Sequence, residues 1–479
     1  MQNYKMWVGG QWVSAQSGET YGVVNPATEE EIARVPLGNK PDVDRAVEAA
    51  RKAFPQWSGT AQVERSRIVN AIAGTIRGHL AELAALDTLD HGTPKRRAMA
   101  STTYAAESLE YAAQASRAVA GDAIPIGKGT AFFRRLEPVG VCGLIIPWNV
   151  PLRVMCIKLG AALAMGNTCV VKPPSIDSLV ILRLGEMLEE LDIPAGVINI
   201  VTGPGETVGE AIASHSGVDL ISFTGSCEAG KAIMASASQT VKRLTLELGG
   251  KNPFVVLEDA DVDAAVSKAV FCSYANTGMV CASPGRYYIH EKLYDEFAAK
   301  FIAGSEKIVV GDPTEESTDM GPVVSAQHRD KVEGYIKSGI EEGAKLLLGG
   351  KRPATPPLNR GYFVMPTVFG DVTQNMVIAR EEIFGPVACM LRFSSEAEAV
   401  HLANDSMMGL CASVWTRSAA RGLRLAEELE AGFVWINDHL ITSVEQPWGG
   451  FKQSGFGKEN AFAGLEEYTR LKGISIDLR

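Results

Sequence analysis

Between residues 140 and 235, four short apolar runs alternate with four helix-like segments. "VCGLIIP" precedes "RVMCIKLGAALAMG", and "TCVVKPP" precedes "SLVILRLGEMLEEL". "GVINIVTG" precedes "GETVGEAIASH", and "LISFTGS" precedes "EAGKAIMASAS". The runs recur every 20 to 30 residues, the period of βαβ units, and predict a parallel, doubly wound sheet. Parallel sheets bind ligands outside the carboxyl ends of their strands. The residues just after each run, Pro147–Asn149, Lys172–Ser175, Gly203–Gly205 and Thr224–Ser226, are therefore the first candidates for a site.

A second alternation follows in "PFVVLE", "RYYIH", "KLLLGG", "VACMLRF", "CASVWT" and "GFVWIN", and predicts a second α/β domain. Helical patterns over Val43–Phe54 and Val63–Leu86 fill the N-terminal third. "AFFRRLEPV" (131–139) and "GISIDLR" (473–479) read as strands that pair with each other outside both domains, leaving an edge suited to subunit contact. A chain of 479 residues agrees with two to three domains.

Composition narrows the partners. The net charge of −10 and the absence of a Lys/Arg block exclude a broad nucleic-acid surface. The longest apolar region, Val139–Val171, is broken by Pro147, Asn149, Pro151, Arg153, Lys158 and Asn167, so no membrane span is expected. No signal peptide is read from the first residues. The eight cysteines are scattered, with no CxxC pair, which suits a reduced cytoplasmic chain and gives no reason to expect a metal site.

Among the cysteines, Cys272 closes a helix whose apolar face holds Val262, Ala265, Val266, Ala269 and Val270, and reads as packing. Cys281 follows Asn276 and Gly278, which end that helix, and falls on a loop. A loop cysteine near backbone N–H groups can act as a low-pKa thiolate. Glu247, before two glycines in "TLELGGKNP", reads either as a turn carboxylate or as a general base. Asn149, held between two prolines in "IIPWNVP", reads either as a turn residue or as an oxyanion donor. "GPGETVG" is one residue too long for GxGxxG, and "FTGSCEAGKA" opens a helix whose N–H groups could face a phosphate.

Taken together and in order, "PWNVP", "VVKPP", "FTGS", "LELGGKNP", "NTGMVC", "EEIFGPV" and "PWGGFKQSGFGKEN" make the chain resemble the aldehyde dehydrogenase superfamily from about residue 6 onward. The resemblance is to the NAD(P)-dependent, hydrolytic type. It implies oxidation of an aldehyde to a carboxylic acid through a thiohemiacetal and a thioester on Cys281. Asn149 and the Cys281 backbone N–H would form the oxyanion hole. Glu247 would be the base, and Lys158 and Glu459 would support proton relay. It further implies that Trp148, Lys172, Ser175, Gly205, Gly225 and Ser226 line the adenosine and pyrophosphate of the cofactor. Glu382 and Phe384 would hold the nicotinamide ribose and ring. Val150, Val154, Ile157, Val280 and Trp448 would line the substrate entrance.

The implied fold has a Rossmann-like NAD(P)-binding domain (1–120 and 140–248), an α/β catalytic domain (249–462) and a small β bridging element (121–139 and 463–479). A homodimer or homotetramer follows from that element. Two positions depart from the family's habit. Met279 stands where Gln is common. Ser175 stands where a glutamate often accepts from the adenine ribose and repels a 2′-phosphate, so NADP should be accepted beside NAD. A coenzyme A-acylating relative and a non-catalytic relative are the alternatives, and the intact Glu247, Cys281 and Asn149 favour neither.

Overall fold

The computed structural model describes residues 2–478. Arg479, the end of the expected terminal strand, lies outside the described residues. The four apolar runs form the strands Val141–Ile145, Thr168–Lys172, Ile198–Ile200 and Leu220–Gly225, joined by a fifth, Arg243–Leu248. All five are parallel, and in space they run fifth, fourth, first, second, third. The order reverses beside Val141–Ile145, which is the point where an open α/β sheet leaves a crevice for ligand. The first three strands are wholly buried, which is why they read as unbroken apolar runs rather than alternating ones. Antiparallel strands close both edges: Met6–Val8 and Gln11–Val13 on one side, Gly455–Phe456 on the other.

The second sheet has seven strands and contains all six expected runs. The strand that sequence reasoning missed, Thr367–Gly370, lies between Lys345–Leu348 and Val387–Phe393. It is only four residues long and too short to show a period. Segment 455–456, late in the chain, crosses back to pair with Leu246 and Glu247 of the first sheet. Gly455 makes that crossing possible, because a methyl group there would meet the Leu246 carbonyl oxygen at 1.9 Å.

The two stray strands do pair. Thr130–Pro138 runs antiparallel to Thr469–Asp477 along its whole length, and Asp122–Pro125 adds a third strand. The terminal strand begins four residues earlier than read, because the short helix Ala461–Glu466 ends just before it. The single helix expected over 63–86 is two helices, Gln62–Gly78 and Leu80–His91, divided at His79 with ψ 22°. Gly78 weakens the helix at that point, and apolar periodicity continues across the break. The helix expected over 43–54 extends over Lys40–Gly59. Among the described residues, no helix is long and apolar enough to cross a membrane.

Candidate active site

The loop that carries Cys281 is built from residues in an unfavourable conformation. After the helix Val262–Tyr274, Asn276, Thr277 and Gly278 adopt φ of 51°, 57° and 73° in succession. A non-glycine residue there costs on the order of 1–2 kcal/mol. Tertiary contacts hold the turn in place. Asn276 Nδ2 donates to the carbonyls of Asn149 (3.0 Å) and Met279 (3.4 Å), and Thr277 Oγ1 donates to Gly321 O (3.1 Å). Gly278 lies so close to another strand's entry loop that a methyl group would meet Gly385 O at 2.2 Å. Beyond the turn, Asn252 Nδ2 donates to Cys281 O (2.7 Å) and Ser283 O (2.9 Å), while its Oδ1 accepts from Cys411 N (3.2 Å).

Asn149 sits two residues before the helix Pro151–Ala164, at the carboxyl end of Val141–Ile145. Its amide donates one hydrogen bond to Met279 O at 3.1 Å, which leaves the second N–H of the amide unspent. Among the described residues, the Cys281 backbone N–H meets no acceptor. Two free donors therefore sit at the cysteine, which is the arrangement an oxyanion requires.

The thiol itself departs from expectation. Burial pushes Cys281 up to about 12, the carboxylates of Glu382 and Glu247 push the same way, and Arg153 opposes them. Cys281 is therefore a protonated thiol at rest rather than a standing thiolate, and it needs a base. Glu247, whose charge is felt at Cys281, is the candidate. It is buried, neither of its carboxyl oxygens has a hydrogen-bond partner, and burial followed by the charge of Glu459 pushes it well above the usual carboxylate range. Room is left for its side chain at Gly449, where a methyl group would meet Oε1 at 2.9 Å.

Lys158 Nζ donates to Glu459 Oε1 at 2.5 Å and to Ser222 Oγ at 2.9 Å, with both charged side chains nearly excluded from solvent. Glu459 also exchanges backbone hydrogen bonds with Trp448, 2.8 Å in each direction. The expected relay pair is thus joined, and its charges are felt at Glu247.

The residues expected at a cofactor lie at the strand ends. Lys172 is buried, desolvation lowers it to about 8, and no carboxylate among the described residues pairs with it. A buried ammonium without a counter-charge is costly, and suits a ligand's anionic or hydroxyl oxygens. Glu382, pushed up to about 7 by burial, accepts from Gly250 N at 3.1 Å, and a methyl group on Gly249 would meet its Oε2 at 2.0 Å. Phe384 takes φ 59° and its carbonyl accepts from His328 Nε2 at 2.7 Å. Ser175 Oγ donates to Gly203 O at 3.0 Å.

Three of the expected cofactor residues have other work in the structure. Ser226 Oγ accepts from Ala229 N at 3.2 Å, capping the helix Cys227–Ala237. Gly225 packs on Phe223, and the Trp148 ring sits edge-on to Phe384 at 5.2 Å and packs on Met279. Gly205 opens a short wide turn, and a methyl group there would meet nothing within 4 Å.

The substrate residues divide. Val280 and Trp448 share an aromatic cluster with Phe433 and Trp435, around Ala282 and Cys411. Val150 and Val154 pack into the first domain's core, and Ile157 is buried on the same helix. Sequence reasoning missed Asn252, and took Asn276 only as a helix stop. Asparagine's tolerance of left-handed φ was the available signal for Asn276.

A parallel sheet whose strand order reverses, a cysteine loop with unspent N–H donors and an unpartnered buried carboxylate suit an enzyme that works through a cysteine beside a nucleotide crevice. Residues 12–474 match the aldehyde dehydrogenase family, so the chain belongs to that family. It is 43% identical over 98% of its length to betaine aldehyde dehydrogenase of Bacillus subtilis (strain 168), covering 96% of that protein. It is also 43% identical to the mitochondrial aldehyde dehydrogenase of Mesocricetus auratus, covering 95% of it. A crystal structure of betaine aldehyde dehydrogenase from Staphylococcus aureus in complex with NAD+ superposes with a TM-score of 0.98 at 39% identity, over 99% of this chain and 95% of that one. A point mutant of the same enzyme, with NAD+ and a BME-modified cysteine, gives the same TM-score.

Proposed function

We propose that this aldehyde dehydrogenase oxidises an aldehyde to a carboxylic acid with NAD(P), through a thioester on Cys281 that water resolves. The observation that carries the assignment to Cys281 is the set around it: two unspent N–H donors, from Asn149 and the Cys281 backbone, and the unpartnered Glu247 carboxylate. Glu247 takes the thiol proton as Cys281 Sγ bonds to the aldehyde carbon. Asn149 and the Cys281 N–H receive the oxyanion of the thiohemiacetal, and one such donor is worth about 3–4 kcal/mol. When bound, NAD(P) supplies the acceptor for the hydride that leaves the substrate carbon. Lys158 with Glu459 pass that first proton onward, which frees Glu247 to deprotonate a water; the water attacks the thioester carbon, the C–S bond breaks, the carboxylic acid leaves and Cys281 Sγ regains a proton.

Lys172 fits the cofactor's adenosine end by its unpaired buried charge, Glu382 fits the nicotinamide end by lying against Gly249 and Gly250, and Phe384 by setting its ring against Trp148. Trp148, Ser175, Gly205, Gly225 and Ser226 complete that wall. Val150, Val154, Ile157, Val280 and Trp448 line the aldehyde's approach. Ser175, neutral and turned onto Gly203, supports acceptance of NADP beside NAD. The domains are 1–120 with 140–248, 249–462, and 121–139 with 463–479. Exposed Phe133, Leu471, Ile474 and Ile476 on the last of these support a homodimer or homotetramer, and the free cysteines support a cytoplasmic setting.

The test is turnover of an aldehyde panel by the purified chain, followed by absorbance of the reduced nicotinamide with NAD and with NADP. Reduction dependent on the aldehyde and independent of coenzyme A is expected. The absence of reduction with every aldehyde and both cofactors would overturn the reading.

A further inference from the structure

Two cations remain unused by this mechanism. Arg153 belongs to the helix Pro151–Ala164, three residues after Val150 and four before Ile157, so it shares a stripe with the aldehyde-facing positions. Its guanidinium lies 3.6 Å from the centre of the Tyr104 ring, and Nη2 donates to Thr442 Oγ1 at 3.0 Å in the loop 437–446. Arg97 precedes Tyr104 by seven residues on the helix Lys95–Ala115. Two helical turns bring Arg97 and Tyr104 to one face, and hence Arg97 toward Arg153.

The surroundings supply no counter-charge. Arg97 is half-buried, and burial together with the repulsion of Arg153 holds it below its ordinary value. Neither arginine has a carboxylate partner among the described residues, although 32 other ion pairs form there. The acids of the loop 437–446 are committed elsewhere. Asp438 pairs with Lys268 at 2.6 Å, and Glu445 accepts from Ser443 Oγ at 2.5 Å. Only one of Arg153's five N–H donors is spent. Two half-buried like charges without an anion between them are unfavourable, and a guanidinium fork matches a carboxylate in two parallel hydrogen bonds. The charge of Arg153 is also felt at Cys281, so this cationic mouth and the reacting thiol belong to one site.

We infer that Arg153 and Arg97 bind the anionic end of the substrate, so that the preferred aldehydes carry a carboxylate, or an anion of like shape, remote from the aldehyde carbon. The inference rests on the reading of Cys281 as nucleophile. It makes a quaternary-ammonium aldehyde a poor fit: its charge would meet two guanidiniums, although Trp448 and Trp435 offer ring faces nearby.

The test is steady-state kinetics of the full chain on aldehydes matched in length: 4-oxobutanoate, its methyl ester and a trimethylammonio aldehyde, then 6-oxohexanoate with its ester. For the wild type, kcat/KM for an acid should exceed that for its ester by about tenfold or more, chiefly through KM, as expected of a charge-assisted hydrogen bond. Arg153→Gln and Arg97→Gln should each reduce the acid-to-ester ratio by about tenfold, with Arg153→Lys retaining part of it. This ratio divides out any general loss of activity or folded enzyme. Esters or the ammonium aldehyde oxidised as well as the acids by the wild type would overturn the inference and leave the role of Cys281 intact. A high ratio unmoved by both glutamine variants would overturn the assignment to these arginines. No turnover of any aldehyde would overturn the proposed function and the inference with it.

Discussion

Cys272 and Cys281 stand nine residues apart, at the two ends of one helix-to-loop transition, and burial raises the pKa of both thiols. They differ in what surrounds them. Cys272 Sγ faces the His439 carbonyl at 3.8 Å, on the buried face of its helix. Cys281 feels the charge of the unpartnered Glu247, keeps its own N–H free, and lies two residues after Met279, whose carbonyl holds the Asn149 amide. Resting acidity therefore does not separate the proposed nucleophile from the other thiol. The separation comes from a base in reach and donors ready for the charge that develops during reaction.

The sharpest way to break this comparison is to remove the reactive sulfur. Cys281→Ser should lower the oxidation rate by about a thousandfold or more, since a hydroxyl is a far weaker nucleophile in the same place. Reduced nicotinamide formed per enzyme per second is the measurement, and a loss of less than tenfold would end the assignment. Asn149→Ala comes next. It removes both the spare donor and the hydrogen bond to Met279 O, and should cost about 10²–10³ in kcat. A normal kcat with only KM raised would show that Asn149 holds the loop without touching the oxyanion.

Glu247→Gln sharpens the chemical half of the contrast. The acyl-enzyme should accumulate on Cys281 and appear as a mass increase equal to the acyl group. The pH dependence carries a sign. Glu247 is pushed up, so its base form appears only as pH rises through that raised value, and Cys281 likewise gains thiolate on the alkaline side. Oxidation should therefore climb with pH from neutral into the alkaline range and fall as pH drops. In Glu247→Gln the part owed to the carboxylate should vanish, while iodoacetamide labelling of Cys281 should still rise with pH.

Much of this site was legible because the βα alternation and the ordered motifs both point to strand ends. Asn149, Lys172 and Glu247 each follow or close an apolar strand, so their position came from local pattern. What was not legible depends on elements far apart in the chain. Asn252 clamps the Cys281 carbonyl across 29 residues, and Arg153 reaches Thr442 across 289. No local period encodes either contact. The expectation of a lowered cysteine pKa failed for the same reason: burial and the charges of Glu382 and Glu247, brought up from distant parts of the chain, outweigh nearby N–H groups. Val150 and Val154 were placed by motif position; that they also pack against the first core depends on how their helix meets the sheet.

The smallest expected effect tests the inert partner. Cys272 is fully buried, but its sulfur already points at a carbonyl oxygen. A serine hydroxyl there could donate to His439 O, which offsets most of the cost of burying it, about 1–3 kcal/mol when unpaired. Cys272→Ser should therefore keep kcat/KM within about twofold of the wild type and lower the thermal midpoint slightly. The link between the two cysteines is structural: Ser283, two residues past Cys281, donates to Cys272 O at 3.1 Å through its own hydroxyl. That bond uses the Cys272 backbone and survives the substitution. If Cys272→Ser nevertheless matched the loss in Cys281→Ser while remaining folded by circular dichroism, the sulfur of Cys272 would have to take part in the reaction, and the division between the two thiols would fail.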